Sequence, residues 1–194
     1  MIMDNQTYIH NVKMEEIVWH RLTTAYDRAT AFPEYFRILE DRSNLAKKTL
    51  DTILSNIEHQ DSLWRATPFS MIFLTRIFEK AATETNHVAV YLVDRLLDFF
   101  ILIAELFHET EKYAEQWGHM EPLPYFSDML KEEYLFPEEC EEEEQEEIFL
   151  EEDNPSDELS YSFYYYSYQV LLEYREVFQK IDKEQADTLQ DLLY

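Results

Sequence analysis

Asn56-Ile-Glu-His-Gln-Asp-Ser-Leu-Trp-Arg-Ala-Thr-Pro-Phe-Ser-Met-Ile-Phe-Leu-Thr-Arg-Ile-Phe78 is the stretch in which this chain turns on itself. A helix runs up to Glu58, and a polar corner follows from His59 to Arg65. Thr67 then has the chemistry of an N-cap, and Pro68 suits the first helical position. Behind them Phe69, Ile72, Phe73, Ile77 and Phe78 recur at helical spacing, so the second helix folds back and buries that face. The corner, with His59, Gln60, Trp64, Thr67 and Pro68 as its structural residues, makes a helix-turn-helix pair.

Working outward, the first dozen residues show no period and read as a loose arm. Ile17, Val18, Leu22, Ala25 and Ala29, with Trp19 and Tyr26, keep to one helical face and predict a helix from Met14 to about Arg28. Pro33 opens a short second helix through Leu39. Ser43 or Asn44 caps a third from about Leu45 to Glu58, with Leu45, Ala46, Leu50, Ile53, Leu54 and Ile57 as its buried stripe. After the corner, a fourth helix runs from Pro68 to about Ala81. A polar break at Thr83 to Asn86 leads to a fifth from about His87 to Lys112. Its segment Leu96 to Phe107 is apolar on nearly every side, which makes it the core spine. One or two helical turns are expected within Tyr125 to Leu135. After Pro155 come an aromatic-rich helix from about Glu158 to Ile181 and a short last helix from Glu184 to Leu193.

The chain has 194 residues, 46% hydrophobic and 15% aromatic, enough for one domain with a substantial core. Gly118 is the only glycine, so glycine-dependent phosphate loops and Gly-x-Ser-x-Gly elbows are excluded, and tight hairpins are disfavoured. Cys140 is the only cysteine, which excludes an intramolecular disulfide and a cysteine-based zinc site. Its glutamate neighbours disfavour the thiolate. The apolar stretch from Leu96 to Phe107 carries Asp98 and Glu105 and falls short of the ~20 residues that span a bilayer. The start, Met-Ile-Met-Asp-Asn, lacks a basic flank and an apolar run, and a cytoplasmic location is expected.

The formal net charge is −25. Residues 1–65 hold ten acids and eight bases, whereas 66–194 hold thirty-one acids and eight bases. Such a C-terminal half repels nucleic acid and favours a basic protein as partner. Glu138 to Asp153 holds eleven acids in sixteen residues, and 137–157 reads as an acidic, flexible, disordered insertion. Within it Glu141, Glu142, Glu143, Glu144, Glu146 and Glu147 offer charge, and Ile148, Phe149 and Leu150 an apolar anchor, as a candidate partner-binding arm.

The remaining polar features favour structural roles. His59 suits capping of the preceding helix better than general-base work, since no nucleophile or second histidine lies near it in sequence. Glu84 to His87 and Glu105 to His108 have the Glu-x-x-His spacing of di-iron bundles, but Glu84 falls in a break, and no metal or other cofactor is expected. Tyr161, Phe163, Tyr164, Tyr165, Tyr166 and Tyr168 encircle a helix and read as core or interface, with hydroxyls reaching the surface.

The order Trp19-x-x-Leu22-x-x-Ala25-Tyr26-x-x-Ala29-x-x-x-Pro33, then Leu39, Asp41 and Leu50, then Ile57-x-His59-Gln60, Ala66-Thr67 and Phe73-Leu74, resembles the opening of a group of bacterial HEAT-repeat-like proteins. An aromatic also sits at Trp64, where that pattern places one. The resemblance covers about residues 15–80. Asp27 replaces a common glycine, Asp61-Ser62 a common Gly-Thr, and Ser70-Met71-Ile72 a common Ala-Val-Pro. The resemblance implies an all-α fold of HEAT-like stacked helical hairpins, a short α-solenoid, of the sort that binds other proteins; some members look like antitoxin or immunity proteins. A single domain over 1–194 is expected. It would be a non-enzymatic scaffold, in its sharpest form an immunity-type inhibitor of a basic toxin or nuclease. The alternatives are a nucleic-acid mimic that blocks a DNA-binding enzyme, and a hydrolase or metalloenzyme.

Overall fold

In the computed structural model, residues 4–117, 120–138 and 155–194 are described. The chain is mostly helical. Among the described residues the helices are α1 (Asn5–Asn11), α2 (Phe32–Glu40), α3 (Ala46–Ile57), α4 (Ala66–Ala81), α5 (His87–Trp117), α6 (Asp157–Glu173), α7 (Arg175–Phe178) and α8 (Glu184–Leu192). Between α3 and α4 lies a two-stranded antiparallel hairpin of β1 (Glu58–His59) and β2 (Ser62–Leu63).

Capping chemistry sets several of these boundaries. The arm at the start is a helix: Asp4 accepts the Thr7 amide proton at 2.9 Å, and Ile9 is buried beneath α1. Asn86 Oδ1 accepts from the amides of Val88 and Ala89 and starts α5, while Ser156 Oγ accepts from Leu159 and starts α6. Leu45 sits just before α3 and is 61% exposed, outside the buried stripe formed by Ala46, Leu50, Ile53, Leu54 and Ile57. Ser43 Oγ meets only the Leu45 amide.

The helix expected from Met14 to Arg28 does not form. Two short 3-10 turns, Met14–Glu16 and Trp19–Arg21, lead into a tight loop closed by a Thr23–Arg28 bridge. Ile17, Trp19, Leu22 and Ala29 are buried as their spacing required, but the backbone bonds elsewhere. Ala25 N–H donates to the Asn56 carbonyl at 2.8 Å, and the Thr23 carbonyl accepts from Ala66 N–H at 3.1 Å. The loop thus ties the end of α3 to the start of α4. The β-branched pair Thr23-Thr24 and these tertiary partners outweigh the helical period.

α2 with α3 and α4 with α5 form two successive helical pairs. α6 crosses back to lie on α4 and α5, and α8 lies along α5. α5 is the spine, touching α3, α4, α6 and α8. Phe100 on α5 meets Phe78 of α4 at 5.6 Å and Phe178 of α7 at 5.7 Å between ring centres. One cluster of buried apolar side chains runs from Ile9 to Leu193 among the described residues. None of the described helices is long and apolar enough to cross a membrane.

Candidate functional site

The corner is tighter than its composition suggests. Gln60 and Asp61 form a two-residue loop with φ of 52° and 65°, the left-handed values that a type I′ hairpin requires and that glycine usually supplies. Local bonds hold it: Glu58 Oε1 accepts from Asp61 N–H at 3.0 Å, and the Tyr164 hydroxyl of α6 donates to the Asp61 carbonyl at 3.1 Å. Burial pushes the Tyr164 phenol up, so it remains a neutral donor.

Thr67 is not the N-cap, because α4 begins at Ala66 with Arg65 before it. Its hydroxyl instead donates to the Ile57 carbonyl at the end of α3 and accepts the Trp64 amide proton. Thr67 and Ala25 therefore take the last carbonyls of α3, the role expected of His59. The imidazole turns away, its Nδ1 3.1 Å from the Tyr26 hydroxyl. Pro68, expected at the first helical position, stands third in α4, which begins two residues earlier at Ala66.

Below the corner is a cleft of about 470 Å³, lined in part by His59, Gln60, Trp64, Arg65, Phe163 and Tyr164. Arg65 lines it, and arginines brace the loop beside it. Arg65 Nε donates to the Tyr134 carbonyl at 2.8 Å, and Arg21 grips Glu132 with both terminal nitrogens at 2.6 and 2.7 Å. Arg28 lies 4.2 Å over the Phe136 ring. Hydrogen bonds from Arg21 hold the Glu132 carboxyl below its usual pKa. These contacts pin 131–136 to the loop at 21–28.

The other histidine of interest is structural. His108 is buried, with Nε2 2.8 Å from the Leu192 carbonyl and its ring stacked on Tyr194 at 4.7 Å. Glu105 points outward on α5, so Glu105 and His108 do not converge, and Glu84 pairs with Arg42 at 3.0 Å. Among the described residues no group of three or more His, Cys, Asp and Glu side chains could hold a metal ion. The tyrosines of α6 pack as expected, but their hydroxyls staple backbone: Tyr166 donates to Leu123 and Tyr168 to Leu192.

Carboxylates gather on the outer face of α5. Because α5 is enclosed on most sides, its exposed positions form one stripe, which carries Asp98, Glu105 and Glu109, with the half-buried Asp94 in line with them. At 1.5 Å rise per residue, Asp94 to Asp98 and Glu105 to Glu109 each span about 6 Å. α8 runs alongside in the same direction, with Lys183 on Asp94 at 2.7 Å at its start and Leu192 on His108 at its end. Its exposed face adds Glu184, Asp187 and Asp191. The arm residues Glu141, Glu142, Glu143, Glu144, Glu146, Glu147, Ile148, Phe149 and Leu150, together with Cys140, lie outside the described residues.

Comparison of the chain with models of known families, with curated proteins and with solved structures finds no match. The i, i+4 spacing of its acids encodes the stripe on α5, but in composition it is outweighed by the dense acidic run after Pro137. The cleft was not legible, since it needs α6 laid beside the corner.

Proposed function

We propose that this chain is a non-enzymatic, protein-binding helical scaffold that engages a basic protein in the cytoplasm, built on HEAT-like stacking of the α2–α3 and α4–α5 pairs. The sharper form of this reading is an immunity-type inhibitor of a basic toxin or nuclease. The observation that carries it is the fixed carboxylate face of α5 and α8, which adds an ordered patch to the overall charge of −25. Charge of one sign steers a basic partner to the surface, and short-range docking follows. His59 lends catalysis no support, because its Nδ1 meets Tyr26 and no carboxylate.

A second reading, a nucleic-acid mimic, draws on the same stripe. Carboxylates held about 6 Å apart on a rigid helix can stand in for successive phosphates on a basic groove. The two readings part on competition: a mimic is displaced by DNA, whereas an inhibitor that docks elsewhere on its target is not.

Affinity capture with the full chain from host extract, at low and high salt, tests the reading. The wild type is expected to retain a basic protein at low salt. The triple variant Asp98→Asn/Glu105→Gln/Glu109→Gln is expected to lose it. Equal retention by the variant, or no retained protein at either salt, overturns the proposal.

A further inference from the structure

Beside the acidic stripe, between α3, α5 and the corner hairpin, lies a groove of about 270 Å³. Its base is apolar, formed by Leu54 and Phe99 with Leu102 partly exposed at its side. Carboxylates stand around it: Asp51, Glu58 and Asp98. This combination matches one kind of occupant, a side chain with a long apolar stem and a cationic head.

Resting on the partner reading above, we infer that this groove seats an arginine of the basic partner, with the methylenes on Leu54, Phe99 and Leu102 and the guanidinium between Asp98 and Glu58. The protein already uses the same chemistry internally. Arg95 lines the groove and donates from Nε to Asp51 at 3.1 Å, while the Tyr91 hydroxyl takes the other Asp51 oxygen at 3.0 Å. Asp51 is thereby committed. Glu58 gives one oxygen to the Asp61 amide, and Asp98 is exposed and forms no ion pair within the described residues. Acceptor capacity is therefore left at the hairpin side, where a planar fork can be gripped from two carboxylates.

The occupant is arginine and not an apolar residue because charge surrounds the opening. An apolar side chain would leave these carboxylates partly desolvated without a partner, which is unfavourable. Arginine is also the cation most often found at the energetic centre of protein interfaces.

The test uses the full chain and a capped Arg-Leu-Arg peptide as probe, followed by methyl and amide chemical shifts. Saturable shifts at Leu54 and Leu102 are expected. Asp98→Asn should raise the Kd about fivefold, the upper range for a half-exposed pair, whereas Asp187→Asn on α8 should change it less than about twofold. Both replaced residues are exposed, so folding is not at issue. Leu102→Lys, which puts a cation into the groove, should remove the saturable response. Shifts spread over the whole acidic face, with the two Asp variants weakened alike, overturn the groove. The capture experiment reads the wider proposal separately: a captured partner stands even if the groove fails, whereas a groove that binds the peptide while nothing is captured keeps the arginine site and removes its partner.

Discussion

Thr67 shows how one hydroxyl fixes a joint. By donating to Ile57 and accepting from Trp64 it satisfies the end of α3 and the entry to α4 together, from a fully buried position. Thr67→Val keeps the shape and removes both bonds, so unfolding in urea should show a loss of about 2 kcal/mol. A loss below about 0.5 kcal/mol would mean that water or another side chain replaces the hydroxyl. The neighbouring loop runs the other way. Asp61 holds φ of 65°, which costs a residue with a Cβ, while its bonds to Glu58 and Tyr164 use only its backbone. Asp61→Gly should therefore stabilise by about 1 kcal/mol, seen as a higher urea midpoint with unchanged slope. Residue types alone could not assign these roles. Thr-Pro before an apolar run has the pattern of a cap, and only the fold reveals that the cap serves the preceding helix.

At the scale of elements, legibility follows burial. α2 to α6 and α8 are readable because each has an apolar stripe, and at α2, α5 and α6 a proline or a capping residue also marks the start. The segment from Met14 to Arg28 has the stripe but not the helix, since its amides and carbonyls are claimed by Asn56 and Ala66. α1 was missed because its single buried residue, Ile9, gives no period, although Asp4 was available as a cap. α6 carries a pH consequence. Burial raises the pKa of Tyr161, Tyr164, Tyr166 and Tyr168 on α6 and of Tyr174 just after it. Unfolded tyrosine ionises near pH 10, so above about that pH the unfolded state binds fewer protons than the fold does. Stability is then complete below about pH 10 and falls as the pH rises toward the folded values. Tyr166→Phe separates two effects. At neutral pH it should cost about 1 kcal/mol through the lost bond to Leu123, and above about pH 10 its stability should fall less steeply than that of the wild type. Denaturant melts across alkaline pH, with tyrosinate absorbance as a second signal, would read both; parallel curves for the two proteins would refute the assignment.

On the scale of the whole molecule, composition legibly excluded glycine-loop nucleotide folds and favoured helices, but it could not say which helices touch. The contact of α6 with α4 joins residues separated by the acidic run, and no local pattern encodes it. Charge is the property that acts over the entire chain. Forty-one acids against sixteen bases give a self-repulsion that the folded state concentrates and the unfolded state relaxes. Opposing it among the described residues are surface ion pairs such as Lys80–Glu40 and Arg37–Glu34, each contributing about 0–1 kcal/mol and themselves screened by salt. Added salt therefore weakens two opposing terms, and the numbers decide between them. Going from about 0.01 M to 0.15 M sodium chloride shortens the Debye length from about 30 Å to about 8 Å, which screens repulsion across the molecule more than it screens pairs in contact. Stability should consequently rise with salt, by on the order of 1 kcal/mol, and most steeply at the low end. Urea midpoints across a chloride series check this. If the midpoint drops instead, the contact pairs dominate, and the acidic face of α5 and α8 is better compensated than its exposed carboxylates indicate.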